Sequence, residues 1–313
     1  MALIALPFAI PAGLLKQAEL GPDWADWLDR LPGLYRAMVS DWELTCDGAP
    51  LHGFVSLVVP VRTRSARPAM LKLTFDGDDE SVHEGLALQR WSGSGTVRLL
   101  RHDPRRRALL LERLHPEDLN AVPVIDACEL VAGLYRRLHI PAFAQLRTVE
   151  SYVGRWLDEL AELPRNAPIP RRLVEQAEAV GRPLISDTSG AAVVVHGDLH
   201  YENVLAGDRE PWLVIDPKPM SGDPHYEPAP MLWNRWDEVV ATGNVRSAVR
   251  HRFHTLVDTA ELDEDRARDW VVVRMVINAH WSIQDAQRAQ RDLRADERAW
   301  ITECIAIAKA VQD

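Results

Sequence analysis

One short stretch constrains this chain more than any other, because it spaces three polar residues around two apolar runs. The run Val193–Val195 leads into Asp198, and Asn203 follows five residues later. A second run, Leu213–Ile215, ends directly at Asp216. Short apolar or β-branched runs bounded by glycine and proline are typical of strands. We therefore expect two rigid strand ends that carry carboxylate and amide side chains, with a turning loop between them.

The spacing of these polar residues matches enzymes that transfer phosphoryl groups in the manner of protein kinases. Asp198 and Asn203 follow the pattern H-R-D-x-x-x-x-N, with Gly197 in place of the arginine, and Asp216 falls where the aspartate of D-F-G falls. In that chemistry Asp198 is the catalytic residue, since it orients an acceptor hydroxyl and takes its proton. Asn203 and Asp216 are then the ligands of Mg²⁺.

Two other hypotheses fit parts of this pattern. In a metal-dependent phosphoesterase, Asp198 and His200 would ligate two metal ions, and further histidine and asparagine ligands would follow downstream. The downstream histidines nearest to that role are His225, His251, His254 and His280. None of them stands in a Gly-Asn-His or His-x-His string. In the other hypothesis the chain is an inactive kinase-like binding module, and the complete set of acid, amide and lysine argues against it.

Charge indicates the kind of partner. The net charge is −10 over 313 residues, whereas nucleic acids select basic surfaces, so we expect no nucleic-acid partner. An acidic enzyme of this kind suits a cationic small-molecule acceptor that offers a hydroxyl. The sequence leaves open whether the protein is a monomer or a homodimer.

Cysteine usage and hydropathy indicate the compartment. The three cysteines are widely separated and form no C-x-x-C pair, which predicts neither a disulfide framework nor a zinc site. No segment approaches the roughly 20 apolar residues of a membrane span. The apolar start, Met1–Leu15, has no basic residue before Lys16 and contains two prolines, which favours an N-terminal arm packed on the first lobe over a signal peptide. We expect a cytoplasmic enzyme without a membrane partner.

The order of predicted elements is that of an α+β, bilobal protein-kinase-like fold. We predict an N-terminal lobe at residues 1–113, which holds the nucleotide-covering sheet, and a mostly helical C-terminal lobe at residues 114–313. A helix over Asp23–Met38, interrupted near Pro32, precedes the sheet. A second helix is predicted over Ser81–Trp91. The predicted strands are Trp42–Cys46, Phe54–Val61, Ala69–Leu73, Val97–Leu100 and Ala108–Glu112.

Lys72 is a single cation inside an apolar strand. It is predicted to hold the phosphates of ATP, although a lysine on an edge strand also serves as a guard against aggregation. Its acidic partner is expected on the next helix, where Glu80 and Glu84 lie one turn apart. We favour Glu84, because Glu80 lies at the helix start, where acids stabilise the helix dipole.

Two further segments are predicted to bind the nucleotide. The loop before the second strand has only Gly48 and Gly53 in place of G-x-G-x-x-G, and there Gly53 and Ser56 are expected to approach phosphate through backbone amides or a hydroxyl. The backbone from Glu112 to Leu114, at the boundary between the lobes, is expected to face the adenine. The departure from the glycine-rich pattern leaves ATP and GTP both open.

Two helical groups in the second half are candidates for acceptor contacts. Asn278, Trp281 and Asp285 follow i, i+3, i+7 spacing and share one helical face. Trp233 and Asp237 lie in a second group, on the predicted helix after Pro230. For the first group, a tryptophan anchored in the core between two solvent-bordering polar residues is an equally good interpretation.

The chain resembles the aminoglycoside/hydroxyurea antibiotic resistance kinase family over most of its length, from about Trp42 to Asp285. The resemblance is carried by His196–Leu205, Glu210–Pro219, Gly222–Pro224 and Leu110–Leu114. Membership implies ATP and Mg²⁺, with Asp198 as base, Asn203 and Asp216 as metal ligands and Lys72 paired with Glu84. It further implies transfer of the γ-phosphoryl group to a hydroxyl of a small antibiotic. The 6-hydroxyl of streptomycin is the expected acceptor, and hydroxyurea or an amino sugar is the alternative.

One departure bears on the acceptor. Relatives often have aspartate where this chain has Glu227, and the longer side chain is expected to reshape the acceptor pocket. Glu227 is therefore included among the predicted substrate residues.

Overall fold

The computed structural model describes residues 6–187, 190 and 192–312. By its internal contacts the chain forms two compact units. The first comprises the described residues up to Pro116 together with Ala206–Asp216, and the second comprises Glu117–Leu205 and the residues from Pro217 onward. The lobe boundary predicted between residues 113 and 114 stays a prediction. Residues 1–5 of the predicted N-terminal arm lie outside the described residues.

The first unit is built on an antiparallel sheet that carries Lys72 near its middle. Its strands are β1 (Thr45–Cys46), β2 (Leu51–His52), β3 (Ser56–Arg62), β4 (Pro68–Thr74), β5 (Leu99–Asp103) and β6 (Ala108–Glu112). They run in the order β1-β3-β4-β6-β5, and β2 pairs with β3. In β4, Lys72 lies opposite Val58 of β3 and Leu109 of β6. The alternating buried residues of these central strands form the core.

The helices before the sheet pack on it and close its apolar face. They are α1 (Ala12–Leu15) and α2 (Pro22–Asp41), and a third helix, α3 (Glu84–Trp91), follows β4. The predicted interruption at Pro32 was wrong, because α2 continues through it. A proline inside a helix costs about 3 kcal/mol. Burial of Trp27, Leu31 and Tyr35 against the sheet offsets that cost.

The second unit is mostly helical, and a strand of a small sheet in it precedes the loop that holds Asp198 and Asn203. Its larger helices are α4 (Val124–Leu138), α5 (Val149–Ala161), α6 (Arg171–Ser186), α9 (Val245–Ala260), α10 (Glu264–Arg288) and α11 (Ala295–Ala310). The short helices α7 (Pro230–Trp233) and α8 (Trp236–Ala241) precede α9, and the remaining strands of the chain are β7 (Val193–Val195), β8 (Val204–Ala206), β9 (Trp212–Val214) and β10 (Met220–Gly222). Strand β7 pairs with β10.

Helix α10 forms the buried centre of this unit, with α6, α9 and α11 packed around it. Its sequence is apolar on nearly every side between Trp270 and Ile277, as expected for a helix surrounded by others. Among the described residues, no helix is long and apolar enough to cross a membrane. The predicted cytoplasmic location stays a prediction.

Candidate active site

Lys72 lies at the centre of a buried charge cluster in the first unit. Its Nζ is 2.7 Å from both carboxylate oxygens of Glu84 and 2.5 Å from Oδ1 of Asp216. The lysine and Glu84 side chains are only 5% and 2% exposed, whereas 35% of the Asp216 side chain remains accessible. The structure therefore pairs Lys72 with Glu84, the favoured one of the two glutamates, and leaves Asp216 open to an incoming ligand.

The backbone at Asp216 is in an unusual conformation. Its φ of 53° places it in the left-handed region, two residues after the end of strand β9. Aspartate tolerates this region better than most residues, but such positions are uncommon and cluster at functional sites. The turn aims the carboxylate at Lys72 and prevents β9 from continuing.

The loop after β7 in the second unit holds Asp198 and Asn203. The Nδ2 atom of Asn203 donates to the carbonyl of Asp198 at 2.8 Å, which fixes the orientation of the amide group. Asp198 is partly exposed, whereas Asn203 is 7% exposed. Gly197 has a φ of 83°, and a Cβ there would collide with the backbone carbonyl of Lys218. Only glycine fits this position, which explains the replacement of the kinase arginine.

Glu227 binds the backbone of this loop. Its side chain is fully buried and accepts hydrogen bonds from the backbone N–H of His196 and, at 3.2 Å, from that of Gly197. The predicted role in acceptor contact does not fit this position, because both carboxylate oxygens face the protein backbone. Burial alone would raise the pKa of Glu227, but the hydrogen bond and charge of His139, together with the charge and backbone N–H of His196, outweigh burial and lower the pKa. Glu227 is thus an anionic anchor for the backbone just before Asp198.

Replacement of Glu227 by glutamine tests that anchoring. The amide group keeps the length of the side chain but turns one acceptor into a donor that faces a backbone N–H. We expect the free energy of unfolding to fall by about 1–3 kcal/mol, and kcat to fall while KM for the acceptor stays within about twofold. Urea denaturation and steady-state kinetics measure the two effects. A large rise in acceptor KM at unchanged stability would instead support the acceptor-contact hypothesis.

Arg274 of α10 holds the same loop from another side, and the sequence reasoning missed it. It is 7% exposed, and its guanidinium donates to the carbonyls of Gly197 at 2.7 Å and Tyr226 at 2.8 Å. It also lies 4.0 Å from the ring centroid of Tyr226, a cation–π distance. An arginine inside the apolar run from Val271 to Val276 was the available signal. A buried arginine needs partners, and here these are backbone carbonyls.

Asp223, directly after β10, is a second anion whose side chain is largely withdrawn from solvent. Its Oδ2 accepts from Arg266 at 2.5 Å and from the Trp270 indole at 2.6 Å, and its Oδ1 lies 2.6 Å from Nδ1 of His225. The Nε2 atom of His225 in turn accepts from the backbone N–H of Asp263. Burial opposes ionisation, but the hydrogen bonds from His225 and Trp270 outweigh it and hold the pKa of Asp223 well below its usual value.

This shift predicts an acid-dependent contribution to stability. Because the folded pKa lies below the unfolded one, the unfolded chain takes up the proton first as the pH falls. The contribution of Asp223 is therefore complete above about pH 5 and is lost at lower pH. We expect Asp223→Asn to lower the free energy of unfolding at pH 7 by about 3 kcal/mol. Urea denaturation from pH 7 to pH 3 should show the difference from wild type shrinking, and a constant difference would contradict the assignment.

The predicted nucleotide-binding residues of the first unit occupy a hairpin and a strand end. The N–H of Gly53 donates to the carbonyl of Ser56 at 3.0 Å, and Ser56 is 4% exposed. The backbone N–H of Gly53 is thus hydrogen-bonded within the hairpin. Glu112 is held through its side chain by Arg209 at 3.1 Å and the backbone N–H of Arg98 at 2.9 Å, and Leu114 follows it beyond β6. The phosphate and adenine contacts of these residues stay predictions.

The predicted acceptor residues divide between interior and surface. On α10, Asn278 is 6% exposed and Trp281 packs edge to face on Trp156, with ring centroids 5.4 Å apart, whereas the Asp285 side chain is 64% exposed. Trp233 ends α7 and exposed Asp237 lies in α8, so the expectation that both share one helix was wrong. Arg235, with a φ of 57°, breaks the helix between them.

Each of the two units contributes one set of polar groups of the kinds that bind phosphate and hard metal ions. The first unit offers a buried ammonium beside an accessible carboxylate, and the second offers an amide oxygen five residues from a carboxylate. Mg²⁺ in phosphoryl-transfer enzymes uses only one or two such protein oxygens besides phosphate and water. Among the described residues no three His, Cys, Asp or Glu side chains converge as metal ligands, so nothing there favours the two-metal phosphoesterase hypothesis.

Comparison with solved structures defines the class of fold. The chain is similar to aminoglycoside phosphotransferase APH(4)-Ia, with a TM-score of 0.60 at 17% identity, covering 90% of this chain and 99% of that chain. It is also similar to a choline kinase from Streptococcus pneumoniae, with a TM-score of 0.61 at 12% identity over the same shares. The predicted kinase-like fold, with an antiparallel sheet followed by a mostly helical part, is confirmed.

The chain belongs to the aminoglycoside/hydroxyurea antibiotic resistance kinase family, whose model matches residues 41–286. It is 38% identical to a streptomycin 6-kinase of Streptomyces glaucescens over 299 residues, covering 92% of this chain and 94% of the relative. It is 37% identical to a hydroxyurea phosphotransferase of Kitasatospora aureofaciens over 296 residues, covering 90% and 82%. The predicted family and the enzyme class, a small-molecule kinase, are thereby confirmed.

Proposed function

We propose that this protein is an ATP- and Mg²⁺-dependent phosphotransferase that phosphorylates a hydroxyl of an aminoglycoside, with the 6-hydroxyl of streptomycin as the first candidate. The observation that carries the proposal is the buried Lys72–Glu84 pair with Asp216 at its open side. When bound, Mg²⁺-ATP supplies the phosphoryl group and the charge neutralisation that its transfer requires.

The residues of this chain have separate tasks in the proposal. Lys72 holds the phosphates, and Glu84 keeps its ammonium in place. Asp216 and Asn203 hold the metal ion, each in a fixed orientation set by the turn after β9 and by the Asp198 carbonyl. Asp198 orients the acceptor hydroxyl and takes its proton.

Two lines of support bear on nucleotide and acceptor. One similar structure, that of a thermostable APH(4)-Ia variant, is a ternary complex with ADP and hygromycin B. The relatives named streptomycin 6-kinase and hydroxyurea phosphotransferase match this chain at nearly the same identity. Sequence identity therefore does not distinguish between their two acceptors, and an activity assay does.

A coupled ADP-release assay with ATP and Mg²⁺ tests the proposal across streptomycin, hydroxyurea and glucosamine. We expect turnover on streptomycin and a product heavier by one phosphoryl group, with the phosphorylated position assigned by phosphorus–proton NMR. Turnover on hydroxyurea or glucosamine alone would keep the phosphotransferase and replace its acceptor. No turnover on any of the three would contradict the proposed function.

A further inference from the structure

We propose that α5 and α10 of the second unit form a subsite for a second, hydroxylated and amino-substituted ring of the acceptor, beyond the ring that is phosphorylated. The inference rests on the proposed function, because it concerns the acceptor of that reaction. Its elements are Trp156 and Glu159 on α5 and Asn278, His280 and Trp281 on α10.

The first observation is a concentration of buried polar atoms without hydrogen-bond partners. The indole nitrogens of Trp156 and Trp281 and both ring nitrogens of His280 are buried and form no hydrogen bond to any described residue. Trp156 and His280 are 8% and 4% exposed. Asn278, on the same helix, is also buried. A single buried polar atom without a hydrogen-bond partner also occurs elsewhere, for example at Trp27. Within the described ranges, Trp156 is the one residue of this kind that packs against two others, His280 and Trp281.

Unpaired buried N–H groups are costly, and sites that hydrogen-bond a ligand contain such groups when the ligand is absent. Burial lowers the pKa of His280, so its imidazole is neutral at pH 7 and offers one donor and one acceptor. Indole and amide N–H groups match hydroxyl oxygens. Aromatic rings also pack well on the apolar faces of sugar rings. The set is therefore suited to a hydroxylated ring.

The second observation is the position of this cluster along α10. Arg274 holds the carbonyl of Gly197, next to the proposed base Asp198. Asn278 and Trp281 follow at i+4 and i+7, so they continue the same helical face. With a rise of 1.5 Å per residue, Trp281 lies about 10 Å beyond Arg274 along the axis. That distance exceeds the width of one sugar ring, so the cluster addresses a ring other than the one at the base.

The third observation is the carboxylate of Glu159. Its side chain keeps 36% of its surface exposed, lies 3.5 Å from Nε2 of His280 and accepts a hydrogen bond from Gln284. The His280 contact is too long for a strong hydrogen bond, which leaves the carboxylate able to accept from an ammonium group. A ring that carries both hydroxyls and an amine satisfies the whole cluster.

The test compares streptomycin with streptidine, its single cyclitol fragment, which contains the hydroxyl to be phosphorylated but no further ring. Trp156→Phe, Trp281→Phe and Glu159→Gln are assayed for KM and kcat with both acceptors. We expect each variant to raise KM for streptomycin about 3- to 10-fold, with KM for streptidine and kcat unchanged. Trp24→Phe is the matched control, since Trp24 lies in the first unit, where it stacks on Phe75. Thermal unfolding verifies that each variant is folded. If a tryptophan variant does not fold, Glu159→Gln still tests the subsite, because Glu159 is at a half-exposed position.

The outcomes separate the subsite from the proposed function. Phosphorylation of streptomycin with unchanged KM in all three variants would overturn the subsite and leave the phosphotransferase standing. An equal rise in KM for streptidine would also overturn it, since the cluster would then contact the reacting ring. If streptomycin is not phosphorylated, the subsite is tested by calorimetric titration of streptomycin into wild type and the variants. Binding weakened in Trp281→Phe and Glu159→Gln supports the subsite, and absent or unaltered binding overturns it.

Discussion

Replacement of Asp198 by asparagine is expected to lower kcat by a factor of about 10²–10⁴, the usual contribution of a general base. The amide keeps the shape of the side chain but cannot take the proton of the acceptor hydroxyl. The backbone of the loop, held by Glu227 and Arg274, keeps its position because neither contact involves the Asp198 side chain. The loss should therefore appear in turnover and not in nucleotide affinity.

Two measurements isolate this effect. ADP release with saturating acceptor gives kcat, and calorimetric titration with a non-hydrolysable ATP analogue gives the affinity for nucleotide, expected within about twofold of wild type. Glu202→Gln is the matched control, because Glu202 is an exposed carboxylate in the same loop. If Asp198→Asn retains more than a tenth of the wild-type kcat, Asp198 is not the base.

Replacement of Lys72 by methionine is expected to lower the free energy of unfolding by about 3–5 kcal/mol, because it removes the ammonium group that contacts both carboxylate oxygens of buried Glu84. Glu84 is 2% exposed, so water cannot replace the lost ammonium. The double variant Lys72→Met/Glu84→Leu should recover most of this stability, since an apolar pair of similar volume is often as stable as a buried ion pair. Both variants should lack phosphotransferase activity.

Chemical denaturation and ADP release separate the two roles of the pair. The control is Arg30→Met, which removes the exposed ion pair of Arg30 with Asp76, 61% and 49% exposed, and should cost no more than about 1 kcal/mol. If the double variant is as unstable as Lys72→Met alone, the instability does not arise from the buried Glu84 carboxylate. If Lys72→Met keeps activity, Lys72 does not hold the phosphates.

The sequence predicted the parts of the structure that local patterns encode. Strand β4 with its single lysine, the helix with Glu84 and the strand ends before Asp198 and Asp216 each follow from a short periodic run with clear boundaries. Lys72 and Glu84 also lie in the same unit, on consecutive elements of the chain. The order of the elements was therefore enough to predict that they pair. The contacts with phosphate, metal and acceptor remain predictions.

What the sequence could not supply depends on contacts between distant segments. Glu227 was assigned to the acceptor because only its residue type was visible, whereas its partners lie 30 and 31 residues earlier in the chain. Arg274 was hidden for the same reason, as its acceptor carbonyl at Gly197 is 77 residues away. The continuity of two helices was also predicted wrongly, at Pro32 and at Arg235. Packing, and not local propensity, decides at these positions whether the helix continues.

The late return of the chain to the first unit has a consequence for biosynthesis. Val97 and Val214 share a backbone hydrogen bond, and Arg209 binds the carbonyls of Gly93 and Thr96, so Ala206–Asp216 completes a unit whose other residues end at Pro116. A ribosome must therefore make all of Glu117–Leu205 before the first unit has its last segment. All strands of the six-stranded sheet precede Pro116, so we expect the first unit, and not that sheet, to remain incomplete until then. Lys72 gains Asp216 only after the loop with Asp198 has been synthesised.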